Sequence, residues 1–155
     1  GNYSYGVMLR EPMDLMRSMM NFHPNIGKGF VTSLQKELRS PEAATLDQFA
    51  LWKIMDNYAV RLLAPALTVP AGQINQTHYE AALQTLSHFD HVQRLEDLPD
   101  NAEALFKDLS WPETLRQFVS RKENAAAHQH DFTSEEASWL EEVNRFDIAL
   151  YKRFR

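Results

Sequence analysis

The sequence predicts a helix-rich α/β fold, and three observations carry that expectation. Two short apolar runs, residues 5–9 and 89–95, are the length of buried strands and are bounded by polar and turn residues. Almost all of the remaining chain places its apolar residues at helical spacing. The second run follows a helical segment at once, the order that sets two strands parallel with their carboxyl ends on one side of a sheet. A stand-alone all-helical binding module is the competing architecture, and it would require both runs to be helical or irregular.

The elements follow in order. Residues 5–9 run into Arg10, and Pro12 then opens a helix whose Met13, Met16 and Met20 form one apolar stripe, with Asp14, Arg17, Ser18 and Asn21 on the polar face. A stripe of this kind reads as adaptable core. His23-Pro24, Gly27, Gly29 and Ser40-Pro41 punctuate a loop around a short helix at residues 31–38. Thr45-Leu-Asp-Gln48 is a capping-box signature for a helix running to about Leu63, stopped before Pro65, with Leu51, Ile54, Met55, Tyr58 and Leu62 as its buried stripe. Lys53, Asn57 and Arg61 recur every four residues on the opposite face. A second capping box, Thr77-His-Tyr-Glu80, opens a helix ending near Ser87, before the strand at 89–95. Asp100 and Ser110 are expected to cap two short helices and Thr133 the last, with Trp139, Val143, Phe146, Leu150 and Phe154 facing inward.

A chain of 155 residues sets an expectation of one domain over residues 1–155. The net charge of -5 and the lack of a lysine/arginine cluster argue against a nucleic-acid-binding surface. Any anion must be held by local positive charge. The absence of cysteine removes disulfides, thiolate metal sites and cysteine nucleophiles. It tilts the compartment toward the cytosol or an organelle, while the sequons Asn2-Tyr-Ser4 and Asn75-Gln-Thr77 would be usable in a secretory lumen. No apolar run is long enough to span a membrane.

Arg10 is the leading candidate for a site. A guanidinium ending an apolar strand must be paired or face a ligand, and open α/β sheets bind ligands at the carboxyl ends of their strands. An ion pair with Glu11 or Asp14 is the alternative reading, and Ser18 depends on Arg10. Arg94 and Glu96, closing the second run, fall near the same end of the sheet. Arg121 and Lys122 read first as a solvated charge run. The groups His88-Phe-Asp90-His91 and His128-Gln-His130-Asp131 lack the companions of a metal site, so no metal is expected. His23 is a conceivable general base toward an acceptor hydroxyl, though no catalytic residue is assigned.

The segment from Tyr5 to Phe22 resembles the 3′-phosphate-binding motif of the P-loop sulfotransferases. Asp56-Asn57-Tyr58-Ala-Val-Arg61-Leu62 is similar to the Asn-Tyr-x-x-Arg-x-Leu helix of the carbohydrate-type branch. Phe89-Asp-His-Val-Gln-Arg-Leu-Glu96 resembles the family's late strand. Phe132-Thr-Ser-Glu-Glu136 with Asn144-Arg-Phe-Asp147-x-x-Leu150-Tyr151 resembles its final helix.

The resemblance implies the helix-rich C-terminal part of a P-loop-type three-layer parallel-sheet fold, belonging to a larger sulfotransferase domain. Its 5′-phosphosulfate loop would lie ahead of Tyr5, and Gly27-Lys28-Gly29 is no substitute for it. The implied donor is 3′-phosphoadenosine 5′-phosphosulfate, its 3′-phosphate held by Arg10 and Ser18, with Arg121 and Lys122 folding over the nucleotide. Asn57 and Arg61 are candidates for sulfate or sugar contacts. The implied acceptor bears a hydroxyl, as a glycan does, and another chain or a preceding segment would complete the sheet. The competing functional class is a non-catalytic, degenerate relative acting as a subunit or scaffold.

Overall fold

The computed structural model describes residues 3–22, 31–32, 35–36, 51–112, 114 and 131–154. The described elements are β1 (Gly6–Leu9), α1 (Pro12–Phe22), α2 (Leu51–Ile54), α3 (Tyr58–Leu63), α4 (Gln76–Leu86), β2 (His91–Arg94), a 3-10 turn (Leu95–Asp97), α5 (Leu98–Asp108), α6 (Ser134–Val143) and α7 (Arg145–Arg153). The arrangement is a mixed α/β one with a small, open, parallel two-stranded sheet. β1 and β2 pair in the register Gly6↔His91, Val7↔Val92, Met8↔Gln93 and Leu9↔Arg94. This pairing removes the all-helical architecture.

The strands are set in register at their amino ends. Asp90 accepts the Tyr5 N–H at 2.9 Å through its side chain, and the Tyr5 carbonyl accepts the N–H groups of Asp90 and His91. On one face of the pair, Leu9 is buried with Val60, Ala66, Ile74, Ala82, Leu86 and Leu150, and Val7, Val92 and Phe89 pack against that group. A second group, Met13, Met16, Met20, Val31, Met55 and Leu140, fills the space under α1. The methionine stripe is therefore core, as its spacing predicts. Met8, on the other face of β1, remains exposed.

Two long helices expected from the pattern are each broken by an asparagine, and the breaks face each other. Asn57 adopts a left-handed backbone (φ 52) between α2 and α3, and Asn144 separates α6 from α7. Each asparagine starts a helix whose first N–H groups need acceptors, and each helix is capped from the other. Asp147 of α7 accepts the N–H groups of Ala59 and Val60 at 2.8 and 2.9 Å. The Asn57 carbonyl oxygen Oδ1 accepts those of Phe146 and Asp147 at 3.0 and 3.2 Å. Asn144 Oδ1 accepts the Asn57 N–H at 2.8 Å, closing the exchange. Met55 of the expected stripe is buried, but beyond it the break shifts the helical phase, so Val60 and Arg61 face inward and Leu62 is half exposed.

Other boundaries move for local reasons. α4 is capped by Asn75 rather than Thr77, because Asn75 Oδ1 accepts from Thr77 and His78 while His78 Nδ1 accepts the Asn75 N–H. α5 begins before Asp100, with Pro99 in its first turn. Ser110 ends a helix instead of starting one. It sits at φ 52, and the N–H groups of Trp111 and Ser110 return to the carbonyls of Phe106 and Lys107, the paired bonds of a left-handed helix stop. Thr133 forms the expected capping box with Glu136. Residues 31–32 and 35–36 are helical. The capping box at Thr45 to Gln48, the Gly27-Lys28-Gly29 turn and Asn2 lie outside the described residues.

Candidate functional site at the carboxyl ends of the strands

β1 delivers Arg10 to the surface one residue beyond the Leu9–Arg94 pair. Its two expected ion-pair partners are engaged elsewhere. The Glu11 carboxylate caps α1, accepting the Asp14 N–H at 2.7 Å, and the Glu11 carbonyl accepts the Leu15 N–H in the first main-chain bond of the helix. Asp14 pairs with Arg17 at 2.7 Å, and Arg17 also lies 5.7 Å from the centroid of the Phe132 ring. Among the described residues the Arg10 guanidinium has no hydrogen bond or ion pair.

Ser18 is half-buried on α1, and its hydroxyl likewise has no described partner. It lies six residues after Pro12, about 9 Å along the helix axis, on the face shared by Glu11, Asp14 and Leu15. The N-terminus of α1 is thus closed by a carboxylate. Among the described residues, Arg10 is the cation at this corner that has no hydrogen bond or ion pair.

The end of β2 lies beside that of β1. Arg94 grips Asp97 with two hydrogen bonds, Nε to Oδ2 at 2.7 Å and Nη2 to Oδ1, and lies 5.0 Å from the centroid of the Tyr151 ring. The hydrogen bond to Asp97 holds the Arg94 guanidinium above its ordinary pKa. Glu96 bridges three segments, accepting the Glu11 N–H at 3.0 Å through Oε1 and the Tyr151 hydroxyl at 2.8 Å through Oε2. Loss of water, reinforced by that bond to Glu96, pushes the Tyr151 hydroxyl up to about 12. At neutral pH Tyr151 is a donor to Glu96.

The structure places Asn57 and Arg61 elsewhere. The face expected from Lys53, Asn57 and Arg61 does not form, because the helix breaks at Asn57 and Arg61 turns inward to 0% exposure. All five guanidinium N–H groups are used: Nε on the Asp56 carbonyl, Nη1 on the carbonyls of Ala66 and Val69, Nη2 on the Asp56 carboxylate and the Pro70 carbonyl. The other Asp56 oxygen accepts from Asn57 Nδ2, whose second hydrogen goes to the Val143 carbonyl. Asn144 Nδ2 donates to the carbonyls of Met55 and Leu140. In this arrangement both residues serve the fold. Burial pushes Asp147 up to about 6, against the two N–H bonds it accepts, with Asp56 raising it and Arg61 lowering it.

Arg121, Lys122, His23, His128 and His130 lie outside the described residues. Among the described residues no cluster of three or more histidine, aspartate or glutamate side chains could hold a metal ion, and no helix is long and apolar enough to cross a membrane. An open cleft of about 540 Å³ lies at the amino end of the sheet, lined by Tyr5, Gln84, Thr85, His88 and Phe89. A second, of about 290 Å³, borders the buried polar group and is lined in part by Asp56, Asn57, Gly72, Trp139, Glu142 and Arg145. Neither contains Arg10 or Ser18.

Arg10, Ser18, Arg94 and Glu96 are the residues the sequence marks at this corner, whereas the cap made by the Glu11 carboxylate and the bond from Tyr151 to Glu96 are not among its expectations. Glu11 carries a local signal, a carboxylate directly ahead of a helix-starting proline. Tyr151 carries none, since its partner lies 55 positions away. Comparison with known proteins finds no matching family model, no similar curated protein and no similar solved structure.

Proposed function

We propose that the chain binds the 3′-phosphate end of an adenosine nucleotide at Arg10 and Ser18, as part of a sulfotransferase-like protein. Such a protein transfers the sulfuryl group of 3′-phosphoadenosine 5′-phosphosulfate to a hydroxyl acceptor, a glycan being one such acceptor. The observation that carries this reading is Arg10 leaving the carboxyl end of a parallel strand, exposed and without a described partner, directly before a helix. A free guanidinium matches a phosphate in charge and in paired hydrogen-bond geometry. The order of strand, arginine, helix and serine supports the assignment to a P-loop-type parallel sheet. In-line sulfuryl transfer puts negative charge on the bridging oxygen of the leaving phosphate, so such chemistry depends on positioning and positive groups. The anchoring of the 3′-phosphate is the share of that task assigned to this chain.

The second reading is a non-catalytic, sulfotransferase-like subunit or scaffold. The closure of the α1 N-terminus by Glu11, with Asp14 beside it, favours this reading, because two carboxylates oppose an anion there. Calorimetric titration of adenosine 3′,5′-bisphosphate into the native chain and into Arg10→Ala separates the two. Nucleotide binding predicts a weakening of at least about tenfold when a charge-assisted hydrogen bond is removed. Equal affinities, or heat in neither protein, would leave the scaffold.

A further inference from the structure

We infer that Glu96 is a positioning residue for the Arg10 anion site, an assignment that rests on the nucleotide-binding reading above. Its two carboxylate oxygens join the three segments that meet at this corner: Oε1 takes the N–H of Glu11, and Oε2 takes the hydroxyl of Tyr151 on α7. The Glu11 N–H belongs to the peptide bond that follows Arg10, so the bridge fixes the backbone from which the guanidinium departs. The next connection is equally constrained, because the Glu11 side chain and carbonyl hold the first turn of α1. Tyr151 is steadied in turn by Arg94, stacked on its ring and locked to Asp97. Arg10 therefore projects from a corner tied to both strands and to the last helix, and a backbone fixed beforehand loses less freedom when its side chain binds a phosphate.

Electrostatics and positioning predict opposite signs for the same substitution. Glu96 is exposed and negative beside a site for an anion, so if it acted by charge alone Glu96→Ala would tighten binding. As a positioning residue, its removal frees the Arg10–Glu11 peptide, and binding weakens. Glu96→Gln separates the two effects, since an amide can accept from Glu11 N–H and donate to the Tyr151 oxygen without the charge.

The experiment is a titration of adenosine 3′,5′-bisphosphate into the full native chain and into its Glu96→Ala and Glu96→Gln variants, combined with hydrogen exchange at the Glu11 amide. The expected result is an affinity about tenfold weaker for Glu96→Ala, recovery to the native value or better in Glu96→Gln, and faster Glu11 exchange only in the alanine variant. The salt dependence of binding should persist in Glu96→Ala, because Arg10 still supplies the charge. Should Glu96→Ala prove poorly folded, Tyr151→Phe removes one arm of the bridge and should weaken binding in the same direction. Native binding with Glu96→Ala equal or tighter, or with Glu96→Gln as weak as Glu96→Ala, overturns the positioning role alone. No binding by the native chain overturns the nucleotide reading and this inference with it.

Discussion

Two regions of this molecule are built from arginine, carboxylate and helix starts, and they put them to opposite use. In the buried polar group, Arg61 has every N–H engaged, four of its five bonds going to backbone carbonyls, and Asp56 is covered by Arg61, Asn57 and the Gly72 N–H. At the strand ends, carboxylates are matched to backbone N–H groups, to Tyr151 and to Arg17 and Arg94, and Arg10 is left over. A guanidinium with no capacity left holds a fold together. One that leaves a braced corner with no hydrogen bond or ion pair among the described residues is the group we propose for a ligand.

The most severe challenge to this contrast is Arg61→Ala. It would strand the Asp56 carboxylate in the interior without its counter-charge, leave the Val69 carbonyl without its described donor, and remove one of two described donors from each of the Ala66 and Pro70 carbonyls. Removing one partner of a buried pair costs about 3–5 kcal/mol, a large part of a small domain's stability. Urea unfolding should show that decrease or fail to find a folded state. A change below about 1 kcal/mol would mean that Arg61 is not the structural member of the two.

Next in size is the pH dependence of the same region. Asp147 has a native value near 6, above the ordinary aspartate value of 3.8, because it is buried. Between those values the native state holds the proton that the unfolded chain has released, so stability falls as pH rises from about 4 to about 6. A shift of about two units corresponds to about 3 kcal/mol. Asp147→Asn cannot titrate and keeps one acceptor for the two N–H groups of Ala59 and Val60. It should be less stable than the native chain at pH 4, with the gap narrowing toward pH 7. Parallel stability curves for the two proteins would remove Asp147 as the source.

The sequence made the fold legible where the signal was local. Strand position, the methionine stripe and the Thr133 cap follow from short apolar runs, helical spacing and capping chemistry within a few residues. The breaks at Asn57 and Asn144 were hidden because each depends on an acceptor about 90 positions away, and the continuous helical pattern on either side carries no mark of it. The same distance hides what becomes of the helical face expected next to Asn57. Asn57 and Arg61 share a helical face by spacing, but once Asn57 turns left-handed that face no longer exists. Arg10 was legible as a candidate because a charge at the end of an apolar run is a local anomaly. Glu96 was legible only as a neighbour, since its bridge to Glu11 and Tyr151 is tertiary.

The smallest expected effect is the most informative counterpart to Arg61. If Arg10 is a residue held in reserve for a ligand, Arg10→Ala should change the unfolding free energy by no more than about 0.5 kcal/mol, the range of surface positions without structural partners. The substitution removes no described hydrogen bond and leaves the Glu11 cap and the Glu96 bridge intact, since both use groups of Glu11. A decrease above about 1 kcal/mol in ligand-free urea unfolding would show that the guanidinium supports the native fold, and the two regions would then differ only in exposure. A neutral result, beside a large decrease for Arg61→Ala, separates structural arginine from available arginine by measurement. It would also mean that weaker binding in Arg10→Ala reflects the missing guanidinium itself, because the folded population that meets the nucleotide would be unchanged.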